Sequence, residues 1–139
     1  MFEKALEIAA KAHKGQTDKS GEPYIGHLLR VMQMGKTSDE KICGLLHDLA
    51  EDTDWKFEDL KNEGFSDTII NALKCLTKTG NESYDQFIDR VLSNTLAMRV
   101  KLNDLTDNMD VKRLESLKEE DSKRLNKYLR AYRRLKQHI

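Results

Sequence analysis

Apolar residues recur along this chain at spacings of three and four, with no alternating runs. Ile42, Leu45, Leu46 and Leu49 make one such stripe, Met98, Leu102, Leu105 and Met109 a second, and Leu125, Leu129, Tyr132 and Leu135 a third. That period lines up one face of an α-helix rather than one side of a strand. Thr37 with Glu40, and Ser83 with Gln86, have the spacing of capping boxes, while Gly15, Gly64 and Gly80 fall where helices should stop. The pattern predicts helices over residues 2–14, 23–36, 37–52, 57–63, 66–78, 83 to about 94, 95–108 and 121–137, with a short helical turn within 110–117. Pro23 suits the first turn of its helix. The expected fold is an all-α bundle without internal repeats or low-complexity linkers.

The faces opposite these stripes carry the chemistry. Across from the first stripe lie Gly44, His47, Asp48 and Glu51, with Asp52 beside them. His47 and Asp48 can offer an imidazole nitrogen and a carboxylate oxygen to one divalent cation, and Glu51 and Asp52 can manage the protons of an attacking water. Charged residues opposite an apolar stripe are also the ordinary solvated side of a helix, and the helix alone is equally compatible with both. Gly44 tilts the balance slightly, because a glycine inside a helix costs about 0.5–1 kcal/mol relative to alanine and suggests a close approach. Two further segments supply matching groups: Gly21-Glu-Pro-Tyr-Ile-Gly-His27, and Val100-Lys-Leu-Asn-Asp-Leu-Thr-Asp-Asn108 with Lys101, Asp104 and Asn108 on one polar stripe. His27 shares a face with Tyr24 and Val31, where a lone histidine is more often a hydrogen-bonded core residue. If His47 and Asp48 face a cation while Leu45, Leu46 and Leu49 face a core, their helix is central, with neighbours on both sides.

Four ordered blocks together resemble the HD-domain hydrolases of the RelA/SpoT type, in particular the stand-alone small alarmone hydrolases. The blocks are Ala12-His-Lys-Gly-Gln16, Lys19-Ser-Gly-Glu-Pro-Tyr-Ile-Gly-His27, Leu45-Leu-His-Asp-Leu-Ala-Glu-Asp-Thr53 and Val100-Lys-Leu-Asn-Asp-Leu-Thr-Asp-Asn108. The resemblance implies a cleft holding a divalent metal, typically manganese, on His27, His47, Asp48 and Asp104. It implies Glu51 and Asp52 as the residues that position and deprotonate the attacking water, and Lys19, Asn108 and, more weakly, Tyr128 as nucleotide contacts. The implied reaction is hydrolysis of the 3′-pyrophosphate of (p)ppGpp or (p)ppApp, releasing pyrophosphate and a nucleoside 5′-di- or triphosphate. His13 is not a ligand in the family and reads as a core hydrogen-bonding residue; His138 is expected to do nothing.

One departure matters. Such guanine-nucleotide hydrolases usually carry Arg-Lys before Ser-Gly, the arginine stacking on the base, whereas this chain has Asp18-Lys19. An aspartate offers no flat cation, but it can accept a hydrogen bond from an exocyclic amine, which leaves an adenine-type alarmone open. A phosphohydrolase acting on another nucleotide, and a non-catalytic relative that binds an alarmone or a partner, also remain; the retained Glu51 and Asp52 speak against the latter. A second departure, Leu28 in place of a common proline, should alter little.

Composition fits one domain spanning residues 1–139 with no room for a synthetase, so the expected enzyme only degrades. The 24 basic and 24 acidic residues cancel, but residues 38–67 hold ten acids and three bases, and residues 121–139 seven bases and one acid. The acidic block suits a cation. The basic end suits either a groove for a phosphate-rich ligand or a solvated helix face, the second slightly favoured. Nucleic acid is a poor match, because no aromatics interleave with the bases. Cys43 and Cys75, unpaired in sequence, read as reduced buried thiols, and Trp55 as a core plug. With no signal segment and no long apolar run, the expectation is a cytoplasmic protein without a membrane partner, with homo-oligomerisation left open.

Overall fold

The computed structural model describes residues 1–139. Nine α-helices follow one another: α1 Phe2–Ala12, α2 Ile25–Met34, α3 Ser38–Leu46, α4 Leu49–Asp52, α5 Phe57–Asn62, α6 Asp67–Cys75, α7 Tyr84–Leu92, α8 Thr95–Asn108 and α9 Glu119–Lys136, with a 3₁₀ turn at Val111–Arg113 before the last. There are no strands, only an isolated bridge between Thr17 and Pro23. No helix is long and apolar enough to cross a membrane.

Helix α3 is the hub. It packs against α1, α2, α6 and α8, and Ile42, Cys43, Gly44, Leu45 and Leu46 are all buried within it. The central position expected for the His47-Asp48 helix is therefore observed. Helix α8 is the second axis, touching α2, α3, α6, α7 and α9, with Met98, Leu102 and Leu105 in the core. Burial pushes the Cys43 thiol up to about 12, so it stays protonated and inert. Cys75 is only half-buried, and Trp55 lies at the rim of the core rather than plugging it.

Several expected boundaries shift for visible reasons. The helix predicted over residues 37–52 is two helices, broken at His47 and Asp48. The His47 imidazole takes the Gly44 carbonyl at 2.7 Å, the acceptor that the Asp48 N–H would use in an unbroken helix. Thr37 caps α3 by accepting the Glu40 N–H at 3.1 Å, but the Glu40 carboxylate reaches the Lys36 N–H, at 3.4 Å, instead of closing the box on Thr37. The Ser83–Gln86 box closes in both directions. Pro23 stands outside α2, in the bridge with Thr17. Gly15 and Gly64 take left-handed φ values of 84° and 97° just beyond α1 and α5, whereas Gly80 lies in the connection after α6 and does not. On α9, Leu129 is 43% exposed, and the packed stripe is Tyr128, Ala131, Tyr132 and Leu135.

At Gly44 the backbone of α3 lies close against that of α2. A Cβ there would meet the backbone N and Cα of Met32 at 3.1 Å each. The approach hinted at by a glycine in mid-helix is thus a neighbouring backbone, not a ligand. Backbone atoms cannot yield as a side-chain tip can, so Gly44→Ala should destabilise the fold by about 1–3 kcal/mol despite the better helix propensity of alanine. Urea unfolding of both proteins measures the difference, and an unchanged midpoint would contradict the close packing of α2 on α3.

Candidate active site

The break after α3 turns His47 and Asp48 toward α2 and α8, where His27 and Asp104 point back. His27 Nε2 lies 3.0 Å from Asp104 Oδ1 and 3.8 Å from Asp48 Oδ2. His47 Nε2 lies 3.2 Å from each of the same two oxygens. His27, His47 and Asp104 are buried, and their ligand atoms form one cluster capable of holding a metal ion.

The outer atoms of each group explain why the inner ones converge. His27 Nδ1 donates to Asp107 Oδ2 at 2.7 Å, and His47 Nδ1 donates to the Gly44 carbonyl. With a proton on Nδ1, the inward nitrogen of each ring is Nε2, which in the neutral form offers a lone pair there. Asp107 is itself fixed by Arg30, with Nε to Oδ1 at 2.7 Å, and by Arg113, with Nη1 to Oδ1 at 3.2 Å. Burial opposes ionisation of Asp107, but the His27 and Arg30 bonds hold its carboxyl well below the usual range. The Tyr24 hydroxyl donates to Asp48 Oδ2; burial and the Asp48 charge push the phenol far up, so it keeps that proton. Lys101 Nζ sits 2.9 Å from Asp104 Oδ2, and the Asn108 amide donates to Asp104 Oδ1 at 3.1 Å.

These groups fit a divalent cation. Two imidazole Nε2 atoms, the buried Asp104 carboxylate and the partly exposed Asp48 carboxylate face one point, and the two negative charges repel each other unless positive charge lies between them. The pull is visible in the histidines: burial disfavours a charged His47, yet Asp48 and Asp104 raise its proton affinity well above normal. Ligand atoms about 2.1 Å from a shared ion and at right angles lie about 3.0 Å apart, close to the separations found here. A two-nitrogen, two-oxygen set suits a first-row divalent metal.

Glu51 and Asp52 follow on α4. Glu51 Oε1 accepts the Lys78 N–H at 3.2 Å. Burial and then the Asp48 charge raise the proton affinity of both carboxyls, Asp52 adding to the effect at Glu51. They open with the four cluster residues into a cavity of about 620 Å³, which Lys19, Asn108 and Tyr128 also line. All nine residues singled out in the sequence therefore meet in one place. The same cavity is lined by cations as well, with Lys78, Lys101, Arg113, Arg124 and Lys127. The basic end of the chain divides: Arg124 and Lys127 face the cavity, while Arg134 pairs with Asp85 and Asp89 on the outside.

His13 is buried apart from the cluster, its Nδ1 2.8 Å from Gln16 Oε1, and exposed His138 bonds only the Arg134 carbonyl. Asp18 Oδ1 accepts the Ser20 and Glu22 N–H groups at 2.9 and 3.0 Å. This carboxylate shapes its own loop at the edge of the cavity. Asp107, Tyr24 and Arg113 gave no signal strong enough to single them out. Asp107 lies one turn beyond Asp104 on the same helix, so i, i+3 spacing from a ligand was the available clue.

An all-helical scaffold built around a buried His/Asp cluster is the class that fold and site define. A model of the HD domain family matches residues 5–135, and the chain belongs to that family. A guanosine-3′,5′-bis(diphosphate) 3′-pyrophosphohydrolase of Aquifex aeolicus is 33% identical over 138 residues, covering 91% of this chain and 19% of its own length. The enzyme of that name from Haemophilus influenzae is 36% identical over 134 residues, covering 86% of this chain and 20% of its own length. This chain thus spans about a fifth of the length of these curated relatives. The solved structure of a metazoan ortholog of SpoT, described as hydrolyzing ppGpp with a role in starvation responses, superposes with a TM-score of 0.79 at 21% identity, over 96% of this chain and 84% of that one.

Asp107 supports His27 and anchors two arginines, so Asp107→Ala should weaken divalent-cation binding by about 10–100-fold. It should also destabilise the metal-free fold by about 2 kcal/mol. Titration calorimetry with manganese and urea unfolding read the two effects separately. Because its folded pKa is depressed, Asp107 stabilises the fold above the ordinary carboxylate pKa of about 4, and that contribution fades as pH falls toward the depressed value. The variant should accordingly lose less stability on acidification than the parent protein.

Proposed function

We propose that this protein is a metal-dependent phosphohydrolase that removes the 3′-pyrophosphate from an alarmone of the (p)ppGpp type, and that residues 1–139 suffice for it. The observation carrying this is the composition of one cavity: a His/Asp cluster suited to a cation and two carboxyls of raised proton affinity share it with several lysines and arginines suited to phosphate. The names of the curated relatives support the guanosine nucleotide as substrate. A cytoplasmic location, with neither membrane nor nucleic acid as partner, is part of the same proposal.

A divalent metal on His27, His47, Asp48 and Asp104, manganese in our reading, would supply Lewis-acid activation of water and phosphate. Glu51, with Asp52 beside it, receives the proton of the attacking water. The water oxygen bonds to the phosphorus carried on the ribose 3′ oxygen; that P–O bond breaks, the 3′ oxygen takes up a proton, and pyrophosphate departs. Lys101 stays charged because Asp104 outweighs the burial that would discharge it, and with Lys19 it offsets charge building on the phosphate oxygens. Asn108 and Tyr128 complete the nucleotide site. Asp18 favours a second reading at the base alone: one of its oxygens is committed to the loop, and the other suits an exocyclic amine, so adenine alarmones are expected to be accepted as well.

Incubating the protein and manganese with guanine and adenine 3′-pyrophosphorylated nucleotides should yield pyrophosphate, stop on chelation and resume on adding metal back. Orthophosphate as sole product, or no turnover of either nucleotide, would sink the assignment. Glu51→Gln should lower kcat by about 10²–10⁴-fold. In the parent protein the rate should climb with pH as Glu51 and Asp52 ionise, its acid limb lying above the ordinary carboxylate range near 4.

A further inference from the structure

The connection from α6 to α7 has no helix or strand, and after Leu76 none of its residues is buried up to Ser83. Even so, it delivers two groups to the site: the Lys78 side chain, which lines the cavity, and the Lys78 N–H, which bonds Glu51 Oε1 across 27 positions of chain. A segment so poor in apolar anchors needs something else to hold it.

The guanidinium of Arg90, on α7, supplies the hold. Its Nη1 donates to the Lys74 carbonyl at 2.8 Å and its Nη2 to the Thr77 carbonyl at 2.7 Å. Nε and Nη2 also form a two-pronged bond with the Glu82 carboxylate, Nη2 reaching Oε1 at 2.7 Å. Glu82 Oε1 in turn accepts the Thr79 N–H at 2.9 Å. The Arg90–Glu82 pair thus grips the backbone immediately before Lys78, at Thr77, and immediately after it, at Thr79. Carbonyls at a helix end lack intrahelical donors, and a planar fork with fixed directions can serve two of them and a carboxylate at once; an ammonium group cannot. Arg90 does not line the cavity, and the proposed chemistry makes no use of it.

We propose that Arg90 is a positioning residue for the reaction. By fixing the backbone on both sides of Lys78 it sets the Lys78 N–H against Glu51, and with it the direction of the carboxylate that receives the water's proton. This inference rests on Glu51 having that role in the proposed hydrolysis.

Three variants test it: Arg90→Ala, and the milder Arg90→Lys and Glu82→Gln in case the first does not fold. Misplacing a catalytic group by about an ångström can cost on the order of 100-fold, so kcat for pyrophosphate release from the guanosine alarmone should fall about 10–100-fold in Arg90→Ala. KM should change less than kcat, and manganese affinity by calorimetry should be unchanged, because none of the four cluster residues is hydrogen-bonded to the connection. Millimolar guanidinium should restore part of the activity of Arg90→Ala and none of that of Glu51→Gln. Independently of turnover, the Lys78 amide resonance of the metal-free protein should move in Arg90→Ala as it does in Glu51→Ala. An unmoved Lys78 amide, an unchanged kcat, or a kcat loss that tracks lost manganese affinity and resists guanidinium would each overturn the proposal. If the parent protein releases no pyrophosphate, the functional assignment fails by itself, and the amide resonances still decide whether Arg90 sets the Lys78–Glu51 contact.

Discussion

Two imidazole nitrogens and two carboxylates, one of them buried, aimed at one point form the constraint on which this structure turns. In a medium of low polarity such a set is stable only with positive charge at its centre and with every outer atom satisfied. The protein meets the second condition by reaching outward in sequence. Asp107 takes the outer nitrogen of His27, and Arg30 and Arg113 hold Asp107 in place. Gly44 takes the outer nitrogen of His47, and Tyr24 and Lys101 engage the carboxylates of Asp48 and Asp104.

The fold bends to serve this cluster. Helix α3 is buried on every side, so it cannot also present a long polar face. It ends at His47, and the chain turns at Asp48 and restarts as α4 with Glu51 and Asp52 at the cavity. One amphipathic helix would have put all four groups along a single line. Two short ones send His47 and Asp48 inward and leave the acids beside the open space. The close contact of Gly44 with Met32 brings α2, and so His27, within reach of α3.

The helices were legible in the sequence because only a helix brings residues three and four apart onto one face, and eight of the nine residues that share the cavity because four blocks each carry several chemically specific groups; Tyr128 lies outside those blocks. The break at residues 47–48 was not legible: Ile42, Leu45, Leu46 and Leu49 keep helical spacing straight through it, and the imidazole that replaces a backbone donor is a tertiary effect. The burial of Leu129 was misread for a related reason, since α9 has two neighbouring apolar lines and only the packing partner decides which of them turns inward. Asp107, Arg30 and Arg113 escaped notice because a charged residue on a helix face looks solvated until its partner is known, and that partner, His27, lies 80 positions away from Asp107. Arg90 shows the same limit, since its partners are mostly main-chain carbonyls, which sequence patterns do not record.

The order in which the cluster residues occur along the chain has a consequence for biosynthesis. His27 comes early, His47 and Asp48 follow, and Asp104 and Asp107 arrive only with α8. A nascent chain emerging from the ribosome therefore displays its histidines well before the carboxylates that orient and complete them. Until α8 docks, His27 lacks its Asp107 anchor, and stray cations meet at most a flexible partial chelate. The full His/Asp cluster exists only once α8 has joined the core.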